Sequence, residues 1–88
     1  NGINVSLIEI ENCINKFPDI KDSLCELKKT NSRNKFINAK IVCRKKFKLI
    51  NLINYMQKVI ENYKIPKNFI IVKKLPPSKS NKLMRYVN

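Results

Sequence analysis

Histidine is absent from this chain of 88 residues. That absence removes any Ser–His–Asp triad and any Cys–His nucleophile pair from within it. Glycine occurs once, at Gly2, so a glycine-rich phosphate loop is excluded. The three cysteines, Cys13, Cys25 and Cys43, are odd in number and widely spaced. With no Cys-x-x-Cys pair among them, no zinc site is expected, and the expected metal set is none. Free, mostly buried thiols suit a reducing compartment, so a cytoplasmic location is expected. No run of eighteen apolar residues is present, so no membrane-spanning helix is expected. No signal-peptide pattern opens the sequence. The first residue is Asn1 rather than methionine, as in a fragment or a processed chain.

Acidic residues are also scarce, 6 against 19 basic ones, which leaves a net charge of +13. Such a charge suits acidic partners and raises the possibility of nucleic acid. The lysines, however, are scattered along the chain beside abundant asparagine and isoleucine, with only short clusters such as Arg44-Lys45-Lys46. This is a composition bias rather than a patch, and nucleic acid is the less favoured partner. Base stacking would need aromatics on an exposed sheet face. Only Phe36 and Phe69 fall on expected strands, and each also fits a core position.

What is present suffices for one small domain, residues 1–88, burying roughly 60–65% of its unfolded surface. Ser6-Leu7-Ile8-Glu9 reads as a capping box, the Ser6 hydroxyl taking the Glu9 amide and the Glu9 carboxylate returning to Ser6. Leu7, Ile10, Cys13 or Ile14, and Phe17 then recur at helical spacing until Pro18, predicting a helix over 7–16. A strand is expected over 20–28, with Ile20, Leu24, Cys25 and Leu27 in imperfect alternation. Thr30-Asn31-Ser32-Arg33-Asn34 is a polar turn. The strand over 35–43 puts Ile37, Ala39, Ile41 and Cys43 on one face, and the short connection predicts an antiparallel pair. Leu49, Leu52, Ile53, Met56, Val59, Ile60 and Tyr63 form a helical stripe, closed by Ile65-Pro66. Met56 and Tyr63 are expected in the core. A third strand over about 68–74 follows, and Leu83 to Asn88 reads as the start of a short helix. The fold class is therefore α+β, a small sheet of about three main strands with two main helices packed on it.

One segment stands apart. Two prolines follow the third strand and cannot donate to a ladder. They open a polar loop, Leu75-Pro76-Pro77-Ser78-Lys79-Ser80-Asn81-Lys82-Leu83-Met84-Arg85. Near its end sits Lys82, and an ammonium on such a loop is a mobile point charge for a carboxylate or phosphate. The segment resembles the C-terminal lysine motif of the adenylate-forming ligases, which include acyl-CoA synthetases and nonribosomal peptide synthetase adenylation domains. That motif reads roughly Leu-Pro-x-Thr-x-x-Gly-Lys-x-x-Arg. Gly2-Ile3-Asn4-Val5-Ser6-Leu7-Ile8-Glu9-Ile10-Glu11 is similar to the family's post-hinge segment, Gly-x-x-Ile/Val-x-Pro-x-Glu-Ile-Glu. Pro18-Asp19-Ile20-Lys21-Asp22 resembles its proline turn, Asn38-Ala39-Lys40-Ile41-Val42 its next strand, and Tyr63-Lys64-Ile65-Pro66 its Tyr-x-x-Pro. The likeness runs from Gly2 to Arg85. It departs at Asn81, where the family has glycine, and at Leu7, where it has proline.

The resemblance implies a mobile C-terminal lid of the AMP-binding-enzyme type, with a post-hinge segment at 1–6 and a lysine loop at 76–85. It implies Lys82 as the catalytic lysine of acyl-adenylate formation. Gly2 would lie on the thioester side, where a missing side chain admits pantetheine. Arg85 would brace the loop or meet a phosphate. ATP with magnesium would be held mainly by an N-terminal domain that also binds the acid. The acceptor would be coenzyme A or the phosphopantetheine of an acidic carrier protein. Glu9 is expected to cap, and Glu11 to face solvent or another domain. The chain alone is expected to catalyse nothing. Two alternatives are a basic nucleic-acid-binding module and a lid-like domain repurposed for protein interaction.

Overall fold

The described residues form two small sheets and two α-helices. The computed structural model describes residues 5–31, 34–77 and 86–87. In chain order these are β1 (Val5–Ser6), α1 (Leu7–Asn15), β2 (Ile20–Lys29), β3 (Lys35–Cys43), α2 (Leu49–Val59), a 3-10 turn (Asn62–Lys64), β4 (Asn68–Ile71) and β5 (Tyr86–Val87).

Helix α1 starts where the capping residue predicts. Ser6 is extended, at φ −92° and ψ 111°, and its Oγ accepts the Glu9 amide at 3.2 Å. This satisfies one of the four amides that a helix start leaves unpaired. The Glu9 carboxylate, expected to turn back to Ser6, instead accepts from Lys64 Nζ at 3.3 Å. Leu7, Ile10, Cys13 and Ile14 are buried along one face.

The main sheet has the order β2-β3-β4, antiparallel between β2 and β3 and parallel between β3 and β4. Alternation along β3 holds as expected: Ile37, Ala39 and Ile41 are buried and Cys43 is half-buried. Alternation along β2 is broken by a bulge. Pairing steps from Ile20↔Cys43 to Asp22↔Val42, leaving Lys21 as the extra residue. One inserted residue shifts the face on which every later side chain emerges. Hence Ile20 and Ser23 are both buried, and the period of two fails in the sequence. Leu24, on the other face, is also buried.

The third strand is shorter than expected, ending at Ile71 rather than near 74. Its ladder stops at the Ile41↔Ile71 pair, although the Val72 amide still reaches the Ile41 carbonyl at 2.9 Å. Nor do residues 83–88 start a helix at Tyr86–Val87. That pair is β5, antiparallel to β1 in the register Val5↔Val87 and Ser6↔Tyr86. The β-branched Val5 and Val87 favour the ladder, and a strand partner outweighs the local helical reading.

Helix α2 ends at Val59 and the chain then turns through Asn62–Lys64. Met56 is fully buried, as expected, but Tyr63 is 55% exposed, against expectation. Tyr63 leaves the stripe because the helix has already ended: Ile60, at φ −130° and ψ 163°, and Glu61, at φ −65° and ψ 146°, are extended before the 3-10 turn begins. Tyr55 takes the anchoring role. Its ring packs 5.5 Å from that of Phe17, and its hydroxyl donates to the Cys13 carbonyl at 2.8 Å.

The contact that fixes α1 against the sheet is polar. Glu11 is only 2% exposed, where a solvent-facing or interdomain carboxylate was expected. Its Oε2 accepts the Cys25 amide at 2.7 Å. Replacing Glu11 by alanine removes a charged acceptor from a dry site. Urea unfolding is expected to show a loss of about 2–3 kcal/mol, within the range for hydrogen bonds to charged groups. Ser6→Ala, which removes only the cap, should lose about 1 kcal/mol in the same assay.

Candidate functional site

The lysine motif is delivered by β4 and its continuation. Val72 leaves the ladder, Lys73 and Lys74 bend away, and Leu75-Pro76-Pro77 follows. Lys73 to Pro77 wall a cleft of about 360 Å³ whose other side is Lys21, Asp22 and Val42. The β2 bulge therefore lies at the base of this loop. A bulge re-aims a side chain, and here the extra residue is itself a lysine. Lys21, Lys73 and Lys74 thus line the same cleft as one acidic residue, Asp22. Asp22 Oδ1 also accepts the Ser23 amide at 2.8 Å. The mouth of the lysine loop is a positively charged surface, suited to anions.

Lys82, Arg85 and Gly2, the three residues singled out from the sequence, lie outside the described residues. Their flanking strands are described. The β1–β5 ladder joins the strand that follows Gly2 in sequence to the strand that follows Arg85. These two strands make one small sheet, and α1 begins directly from it.

A second ionic cluster lies at the start of α1. Lys64 Nζ is 3.2 Å from Glu61 and 3.3 Å from Glu9. Hydrogen bonding to Glu61 raises the Lys64 pKa above the ordinary lysine value, with Glu9 contributing. The Glu61 carboxyl is lowered, first by a backbone hydrogen bond and then by Lys64. These groups tie the Tyr63-Lys64-Ile65-Pro66 segment to the cap of α1. They form a structural clamp, and Glu9 and Glu11 do not make a catalytic carboxylate pair: one meets Lys64 and the other Cys25.

The thiols are buried in keeping with the sequence. Cys13 and Cys25 are buried and Cys43 is half-buried, all three unbridged. Burial raises the pKa of Cys13 and of Cys43 above the usual thiol value, which disfavours the nucleophilic thiolate. Among the described residues no group of three His, Cys, Asp or Glu side chains converges for a metal. No described helix is long and apolar enough to cross a membrane. The strand aromatics do not form a stacking platform. Phe69 packs against the core, and the Lys67 ammonium stands 5.6 Å from the centre of the Phe36 ring.

Sequence reasoning missed the role of Glu11, although a signal was there. Position 11 is four residues after Leu7 and three before Ile14, on the same helical stripe. A carboxylate inside an apolar stripe needs a buried donor, and the outward amide of an edge strand is one. The Glu61–Lys64 contact carries a pH signature. Glu61 has a lowered pKa, so its contribution is full above the ordinary carboxylate range and fades as pH falls through the lowered value. Glu61→Gln should therefore reduce the urea midpoint at neutral pH and leave it unchanged well below the carboxylate range. Equal reductions at both pH values would rule out the ionic origin.

No family model matches the sequence, and no curated protein matches it. Solved structures do. An o-succinylbenzoate CoA synthetase from Bacillus subtilis, in complex with its acyl-adenylate intermediate, superposes with a TM-score of 0.82 at 27% identity, covering 97% of this chain and 18% of that one. The same enzyme in complex with ATP and magnesium gives 0.81 at 27% identity over the same 97% and 18%. A four-domain nonribosomal peptide synthetase bound to AMP and glycine shares the fold at a TM-score of 0.73 and 24% identity, covering 80% of this chain and 5% of that one. The chain therefore spans under a fifth of the length of the CoA synthetase it matches.

Proposed function

Starting from a chain that is built as the C-terminal domain of the adenylate-forming ligases, we propose that it is the mobile lid of an ATP-dependent acid–thiol ligase. The single observation that carries this reading is the superposition of 97% of the chain on the CoA synthetase structure that holds an acyl-adenylate. The motif order seen in the sequence, from Gly2 to Arg85, supports it independently.

In this reading the lid acts twice. When closed for adenylation, it brings Lys82 to the carboxylate of the acid and the α-phosphate it attacks. Two anions must approach each other there. An ammonium between them neutralises charge and holds geometry, which is electrostatic and positional catalysis. The lysines at the mouth of the loop, Lys21, Lys73 and Lys74, add a favourable field for the approach. Arg85, next to β5, supports the loop or contacts a phosphate. After swinging, the lid presents the post-hinge segment, where Gly2 leaves room for a pantetheine thiol. Coenzyme A or an acidic carrier protein delivers that thiol, and the +13 charge suits either. ATP and magnesium fall mainly to an N-terminal domain, together with the acid pocket. The chain without that domain is inactive.

The ladder between β1 and β5 makes physical sense of a two-sided lid. Both functional segments are anchored to one sheet, so a rigid rotation can exchange them at a shared partner site. Asn81 replaces the family glycine next to Lys82. Asparagine tolerates a left-handed backbone better than most residues, which fits retention of the turn.

The test separates the two half-reactions. In the enzyme assembled with its N-terminal domain, Lys82→Ala is expected to lower ATP–pyrophosphate exchange about a hundredfold or more, equivalent to a few kcal/mol of barrier. Thioester formation from supplied acyl-adenylate should be largely spared. Gly2→Leu should give the opposite pattern. Exchange near the wild-type rate in the lysine variant would reject its assignment, and lost adenylation in the glycine variant would reject that of Gly2.

A further inference from the structure

The two outer edges of the main sheet are treated differently. On the β2 side, the Cys25 amide is taken by the buried Glu11 carboxylate. On the β4 side, the sheet order ends with no strand beyond it among the described residues. The Val72 amide turns inward to the Ile41 carbonyl. Amides alternate along a strand, so the amides of Ile71 and Phe69 point to the open side. An edge with no further strand among the described residues is a template for another strand.

Beside this edge lies an apolar cleft of about 370 Å³. Phe47, Leu49, Phe69 and Ile71 wall it, and Lys45 and Lys46 stand at its rim. Ile71 is 60% exposed and Leu49 40% exposed, and both line this one cleft. Among the described residues no acidic side chain lines it. Lys45 is shared with Asp19 at 3.5 Å, while Lys67, Lys73 and Lys74 bracket the strand itself. Positive charge therefore surrounds an apolar slot and a row of backbone hydrogen-bonding groups.

We propose that the β4 edge and its cleft form a docking site for an extended acidic polypeptide segment of another protein, which adds a strand to the sheet and seats an apolar side chain between Phe47 and Ile71. Charge complementarity selects this occupant. A second copy of the chain carries the same +13 charge and the same bracketing lysines, so self-pairing is repelled. A lipid or fatty acid would fill the cleft but leave the strand amides unused. A volume near 370 Å³ is at the small end for ligand sites and suits one or two side chains. The proposal does not depend on the ligase reading, and its test needs no ligase activity.

The experiment uses the 88-residue chain and a fluorescent seven-residue peptide, Glu-Leu-Glu-Leu-Glu-Leu-Glu. Saturable binding by anisotropy is expected, with amide shifts in NMR spectra centred on Phe69 to Ile71. Methylating alternate peptide nitrogens should weaken binding about tenfold, because ladder hydrogen bonds are lost. Ile71→Glu should weaken it by a similar factor, and a melting curve would check that this exposed substitution leaves the fold intact. The same peptide with lysine for glutamate should not bind. Any one of four results overturns the proposal: no binding of the acidic peptide, equal binding of the lysine or N-methylated peptide, displacement of the peptide by decanoate or anionic vesicles, or dimerisation of the chain through β4.

Discussion

A carboxylate held away from water between a helix and an edge strand sets the geometry on which the other elements depend. Glu11 accepts the Cys25 amide at 2.7 Å, and Ser23 beside it donates to Asn15 Oδ1 at 2.8 Å. Each contact crosses from α1 to β2. A buried carboxyl group tolerates little displacement, since leaving it or the Cys25 amide unpaired is unfavourable. The apolar residues of α1 supply the burial, with Ile10 and Ile14 fully covered. Burial alone is non-directional and would allow the helix to slide. The carboxylate fixes its register on the strand.

That register has consequences at the N-terminal end of α1. The helix begins directly from β1, and β1 pairs with β5. Lys64 then closes the same end, reaching Glu9 from the turn after α2. Strands β1 and β5, far apart in sequence, are therefore joined in one frame. A lid needs such a frame. It works by moving as a unit and presenting different segments to one partner, and internal slack would lose the positioning on which the chemistry relies. The bulge at Lys21 adds to this by setting a lysine at the base of the loop, opposite Lys73 and Lys74.

Much of this was legible in the sequence. The Ser6 cap, the alternation of Ile37, Ala39 and Ile41, and Met56 on the α2 face follow from local periodicity, which tertiary contacts did not override. The misses share a cause. The β2 pattern is disturbed by the bulge, whose position depends on pairing with β3. Tyr86 and Val87 become a strand only because Val5 and Ser6 lie opposite. Tyr63 turns outward because the helix stops at Val59 and the chain is extended through Ile60 and Glu61. Glu11 is buried because a distant strand offers an amide. Apart from Tyr63, each depends on a partner remote in sequence, which a local window does not contain. The motif order around the lysine loop was visible without the fold, whereas the charged cleft at its base required it.

The account stands or falls on the chain acting as a cap for a catalytic domain. The direct measurement adds the purified chain to an adenylate-forming N-terminal domain that lacks its own lid, taken from the same protein. ATP–pyrophosphate exchange is followed as the chain is titrated. The account predicts a saturable rise of about a hundredfold or more, the size of effect that positioned charge gives in such chemistry. Exchange that stays at the lidless rate, with the two proteins shown to associate, would contradict it.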